Sequence, residues 1–143
     1  MRRRDKTSVY ECTVDRQEIR DRFGIGKKDV AFVFVARFFP EKAHECLVNA
    51  FHSALNHYPN LKLLLLGNGP LEDQINEQIE ALGIRDSVIT PGFVDGVTDI
   101  LGAMDGMIHA TLAEGIPLAV YEGMLSGLPV IGSNVDGTAE VVK

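Results

Sequence analysis

The chain has 143 residues, 45% hydrophobic and 24% charged, ordinary values for one globular domain able to bury one good core. Its net charge of −6 argues against a broad nucleic-acid surface, though not against a small pocket for an anion. No apolar stretch approaches membrane-spanning length, and no apolar run follows the basic start "MRRRDK", so neither a span nor a signal peptide is read.

Residues 1–14 lack periodicity and are expected to form a tail or linker. Residues 15–143 are expected to form one domain. "DRQEIRDRFGIGKKD" opens on a candidate N-cap, Asp15, and reads as a short helix closed by Gly24 and Gly26. "VAFVFVA", 30–36, is a continuous β-branched and aromatic run, the mark of a strand buried on both faces in a parallel sheet. "EKAHECLVNAFHSALNHY" carries Leu47, Val48, Ala50, Phe51, Ala54 and Leu55 at helical spacing, with Pro59 as its stop. "LKLLLLG" is a second strand, and "LEDQINEQIEALG" an amphipathic helix closed by Gly83. Then follow "SVITPG" as strand, "VTDILGAM" as helix, "GMIHA" as strand, "PLAVYEGMLSG" as helix and "PVIGS" as strand, with "TAEVVK" starting another helix. Strand and helix alternate throughout, which predicts right-handed βαβ units in a doubly wound, Rossmann-like α/β sheet. A last strand and helices expected of such a sheet are not accounted for by this sequence.

In such a sheet ligands bind beyond the carboxyl ends of the strands, so the chemistry is sought in the loops that follow them. "RFFPEK" puts Arg37 and Lys42 after the first strand: a diphosphate clamp, or surface charge near a helix start. "GNGP", 67–70, offers glycines for close backbone approach but is neither GxGxxG nor a phosphate loop. "PGFVDG", 91–96, exposes main chain at Phe93 or Val94 that could read a base edge, or is an ordinary loop. "HATLAEGIP" ends on Pro117, suited to a first helical position, with the amides of Leu118 and Ala119 aimed at an anion. Glu114 lies in that loop and Glu122 about one and a half turns into the helix. Glu122 either faces the same cleft or sits on a solvated helix face; its apolar neighbours favour the cleft.

His44, His52 and His57 read as surface residues of one helix, whereas His109 ends the fourth strand at the ligand edge. No histidine spacing suggests a metal site, and no Asp-x-Asp pair suits Mg²⁺ on a diphosphate. Charge neutralisation would then fall to Arg37, Lys42 and helix dipoles. Cys12 and Cys46 have no metal or redox spacing and read as free thiols of a reducing, cytoplasmic setting. Membrane contact would come only through parts outside this chain.

Taken together, "ARFFPEKAHECLVNAF", "LLLLGNGPLEDQI", "VITPGFVDGVTDIL" and "EGIPLAVYEGMLSGLPVIGSNVDGTAEVV" resemble the donor-binding domain of retaining GT-B glycosyltransferases, the family 4 or group 1 type, over about residues 16–143. The resemblance implies that Arg37 and Lys42 hold the donor diphosphate and stabilise the leaving group. It implies that Glu122 accepts ribose hydroxyls, Glu114 contacts sugar hydroxyls, and main chain near Val94 meets the base. Gly67, Gly115 and the backbone of Ile116, Pro117, Leu118 and Ala119 would border the donor, and Thr111 stands where the family often has Ser. A nucleotide-diphosphate sugar would be the co-substrate, with no cofactor and no metal, and the acceptor would bind a missing N-terminal domain. Departures are Ala43 for a common Gly, "EGIPL" for "EGFGL", and "NVDG" for a form with two glycines. Gly96 in place of an Asp leans toward uridine over guanosine or adenosine. Competing readings are a non-catalytic nucleotide-binding module and half of a sugar-nucleotide epimerase.

Overall fold

The computed structural model describes residues 14–143, so all of the expected tail except Val14 lies outside the described residues. The elements are α1 (Arg16–Arg22), β1 (Val30–Val35), a 3-10 turn (Pro40–Lys42), α2 (His44–Leu55), β2 (Leu61–Leu66) and α3 (Glu72–Ala81). After them come β3 (Val88–Gly92), α4 (Val97–Gly102), β4 (Gly106–His109), α5 (Leu118–Leu125), β5 (Val130–Gly132) and α6 (Asp136–Val141). All strand pairs are parallel, in the order β3-β2-β1-β4-β5. This is the expected Rossmann-like α/β architecture.

The alternation of β1 and β2 explains why both faces are covered. Ala31 and Val33 pack with Leu64 and Leu66 against Ile19 of α1, Ile100 and Leu101 of α4 and Met104 just beyond it. Phe34 packs with Leu63 and Leu65 on the other face, against Leu47, Val48 and Phe51 of α2 and Ile75 and Ile79 of α3. Successive strand residues point to opposite faces, so an uninterrupted apolar run is what a doubly covered strand needs. Each large apolar side chain buried this way contributes about 1.5–3 kcal/mol.

At the edge opposite the site, one buried guanidinium clips three segments together. Arg20, 2% exposed, donates to the carbonyls of Ala103, Gly26 and Asp29 and to Asp105. Asp105 in turn accepts from the Ala31 amide and Arg16. Burial alone would raise the Asp105 carboxyl; the Ala31 amide and the two guanidiniums outweigh it and hold the carboxyl below its ordinary value.

Three local expectations are corrected. α2 ends at Leu55, four residues before Pro59, because the backbone turns at Asn56–Tyr58, whose amides bond back to Ser53 and Ala54. Pro117 stands one residue before α5, at its N-cap, with φ −81 and ψ 72, not inside the first turn. His44 is buried, 2% exposed: it begins α2 on the stripe that continues through Leu47, Val48 and Phe51, and its ring stacks on Phe38 at 4.1 Å. His57 is exposed and His52 half-buried. No helix among the described residues is long and apolar enough to cross a membrane.

Candidate active site

The strand order reverses direction between β1 and β4, and the chain leaves both strands on the same side. A crevice opens there by topology, since the two connections run to opposite faces of the sheet. The loop after β1 brings Lys42 to this crevice and the loop after β4 brings His109 and Glu114. Lys42 Nζ lies 3.1 Å from Glu114 Oε2, and His109 Nε2 lies 3.2 Å from the same oxygen.

Backbone contacts hold these two loops together. The Glu41 carbonyl accepts from the Leu112 amide at 2.7 Å and lies 3.1 Å from the Thr111 hydroxyl, which is also 2.8 Å from the Ala113 carbonyl. Thr111 is fully buried. Its hydroxyl, expected at the donor, faces these two carbonyls, and the Leu112 amide ties the Glu114 loop to the turn that carries Lys42. The Glu114 carbonyl accepts from the Gly137 amide at 2.9 Å, so α6 braces the loop from its other side.

A second part of the site lies along the exits of β1, β2 and β3. Arg37, Gly67, Asn68, Phe93 and Val94 border an apolar groove of about 210 Å³ floored by Val35, Ala36 and Leu66. Arg37 is exposed and stacks its guanidinium over the Phe39 ring at 4.6 Å. Gly67 has φ 126, and a Cβ there would run into the Ala36 carbonyl oxygen, so the turn can cross β1 this closely only as glycine. The Phe38 amide donates to the Asn68 carbonyl and the Leu71 amide to the Phe38 carbonyl, which fixes the turn against the β1 exit. Phe93 is 72% exposed beside the groove.

One of the two amides expected to face an anion turns inward. Leu118 uses its amide on the Ile116 carbonyl at 3.0 Å, and so does not offer it outward. That bond follows from Pro117 at ψ 72, which curls the chain before α5 begins. Gly115 and Ile116 are exposed, and Ala119 is half-buried in the first turn. Glu122 is half-buried, and its carboxylate has no hydrogen-bond or ion-pair partner among the described residues. No group of three or more potential metal ligands occurs among the described residues.

The two imidazoles near the crevice are the features that composition and spacing underrated. His44 is pushed down to about 4, by burial first and by the Lys42 charge second. His109 is also lowered, by burial first, with Glu114 pulling it upward and Lys42 downward. Both rings are neutral at pH 7. The signal for His44 was its position three residues before Leu47, four before Val48 and seven before Phe51, which places it on the buried stripe.

Residues 15–143 match the family model described as glycosyl transferases group 1. The chain is 30% identical over 129 residues to N-acetyl-alpha-D-glucosaminyl L-malate synthase of Bacillus anthracis, covering 90% of this chain and 34% of that protein. Its fold superposes on the Anabaena HepE protein in complex with UDP-glucose with a TM-score of 0.86, at 23% identity, over 97% of this chain and 39% of that one. It also superposes on the C-terminal domain of a group 1 glycosyl transferase, LpcC of Francisella tularensis, with a TM-score of 0.80 at 20% identity, over 98% of this chain and 75% of that one. At those identities the two structures show the shared fold alone. The chain spans about one third of the length of the B. anthracis relative. It belongs to the glycosyl transferases group 1 family.

Proposed function

We propose that the chain is the donor-binding half of a retaining, metal-independent glycosyltransferase that takes a sugar from a nucleotide-diphosphate sugar. The observation that carries the reading is the meeting of Lys42 and Glu114, 72 residues apart in sequence, at the crevice between β1 and β4. A cation and a carboxylate there match what a sugar diphosphate presents, anionic phosphate beside neutral hydroxyls. In this reading the diphosphate draws Lys42 from Glu114 and recruits Arg37 from the Phe39 ring. An acceptor hydroxyl bonds to the anomeric carbon as the bond from that carbon to the diphosphate oxygen breaks, its proton passes to the departing diphosphate, and both cations stabilise the charge that grows on the leaving group. Glu114 accepts from sugar hydroxyls, and Glu122, which has no partner among the described residues, accepts from the ribose. The groove beside Phe93 and Val94 takes the base.

Uridine is favoured by Gly96, and the UDP-glucose seated in HepE supports it. An acceptor-binding domain completes the cleft, so this chain binds donor without transferring it. Calorimetry with UDP, GDP and ADP tests the reading. UDP is expected to bind best, and Arg37→Ala and Glu122→Ala are each expected to weaken it by about 1–3 kcal/mol. Absence of binding by all three at millimolar concentration, or unchanged affinity in both variants, contradicts it.

A further inference from the structure

Resting on the donor-site reading above, we infer that His109 is a positioning residue: its Nε2–H anchors the Glu114 carboxylate when Lys42 leaves that carboxylate for the donor phosphate. Glu114 Oε2 is shared by Lys42 at 3.1 Å and His109 at 3.2 Å, and Oε1 has no partner among the described residues. An ionised carboxylate only accepts, so the proton of the neutral ring sits on Nε2 and Nδ1 is bare. Nδ1 is buried with no partner among the described residues, which agrees with that tautomer and leaves a second proton unaccommodated.

The ring cannot follow Glu114 elsewhere. It is 3% exposed and meets Phe34 edge-on at 5.9 Å. Its own backbone is pinned where the Ser133 amide donates to the His109 carbonyl at 3.0 Å, while the Ser133 hydroxyl donates to the Thr111 carbonyl two residues on. Glu114 and Lys42 are the charged groups that act on the ring, and His44 lies across Phe34 as a neutral imidazole. Burial and Lys42 oppose protonation while Glu114 favours it, and the balance keeps the ring neutral.

The consequence concerns competition for Lys42. A diphosphate must take Lys42 from a half-buried carboxylate, and that carboxylate would otherwise be left uncompensated beside an incoming anion. His109 keeps Oε2 hydrogen-bonded and turned toward β4, away from the phosphate. Without it, Glu114 would hold Lys42 harder and repel the phosphate.

The test combines a spectroscopic signature with a double-mutant cycle on the 143-residue chain, using UDP as the probe. Nitrogen-15 NMR of the imidazoles at pH 7 should show His109 as the Nε2–H tautomer, with and without UDP; a charged ring or an Nδ1–H tautomer overturns the inference. UDP affinity should fall on the order of tenfold in His109→Leu, the loss of one hydrogen bond to a charged group. His109→Gln, which keeps an N–H donor at similar reach, should stay within about threefold. In a Glu114→Gln background, His109→Leu should have no further effect on UDP affinity. A loss of the same size with Glu114 intact and in the Glu114→Gln background marks a merely structural histidine and overturns the inference, as does equal loss in the two His109 variants. If the wild-type chain binds no UDP at millimolar concentration, the donor-site reading falls and takes this one with it. Binding with unchanged affinity in His109→Leu overturns this one alone.

Discussion

Ala43 and His44 sit side by side at the start of α2 and make opposite demands on the chain. Ala43 adopts a left-handed backbone, φ 56 and ψ 36, the one non-glycine residue with positive φ among the described residues. That conformation costs an L-residue about 1–2 kcal/mol. It lets the chain turn from the Lys42 loop into the helix without moving Lys42 from the crevice. Ala43→Gly relieves the strain, but gives up about 0.8 kcal/mol of methyl burial and a similar amount of chain entropy. Urea unfolding should therefore place Ala43→Gly within about 1 kcal/mol of the wild type, and Ala43→Val lower by about 2 kcal/mol or more.

His44 next to it is neutral because both ring nitrogens are buried without partners among the described residues and its value is pushed down to about 4. A depressed histidine favours the fold fully above the unfolded value of 6.5 and loses that contribution as pH falls toward 4. The full loss is about 3 kcal/mol. Unfolding curves from pH 7 to pH 4 should be flatter by about that amount in His44→Leu than in the wild type. An equal slope in both would contradict the buried, neutral assignment. His109 acts with the same sign, whereas Asp105, held below its ordinary value, adds its loss only at lower pH.

At the scale of elements, the strands were legible because each central one is a continuous β-branched, leucine-rich or aromatic run, and that pattern has few other homes. The alternation of strand and helix announced the doubly wound parallel sheet and its ligand edge, whereas the strand order comes from the structure. The N-cap of α1 was legible too: Asp15 accepts from the amides of Gln17 and Glu18. Other features depended on contacts distant in sequence. Pro117 suits both a first helical position and an N-cap, and the structure has it at the N-cap with ψ 72. Thr111 has the place in its loop of a donor contact, yet its buried hydroxyl faces the Ala113 carbonyl of its own loop and the Glu41 carbonyl of the 3-10 turn. The Glu114–Gly115 backbone rests on Gly137, where a Cβ would run into the Gly115 carbonyl oxygen. Gly137→Ala must push that loop outward, with a stability loss of about 1–3 kcal/mol, and donor affinity should fall with it. Thermal unfolding and UDP calorimetry on the same sample check this; unchanged affinity would show that α6 does not brace the site.

For the whole molecule, two networks sit at opposite edges of one sheet. Arg20 and Asp105 close the edge where the strands begin, and Lys42, Glu114 and His109 close the edge where they end. The first serves the fold, since both terminal nitrogens of Arg20 are directed at carbonyls or a carboxylate. Arg20→Ala would leave Asp105 and three carbonyls short of a donor and should cost about 3–5 kcal/mol by urea unfolding. The second, in the proposed function, keeps a cation and a carboxylate for the donor. The chain spans about a third of the B. anthracis relative, and its own part in the proposed reaction is to hold the donor.

The most direct measurement of that part is a nitrogen–proton NMR map of the labelled chain during titration with UDP. Saturable shifts are expected at Arg37, Lys42, Gly67, Val94, Gly115 and Glu122, with the strand starts near Ala31 and Asp105 unmoved. Shifts clustered away from the β1–β4 crevice, or none at millimolar UDP, would contradict the assignment of this edge as the donor site.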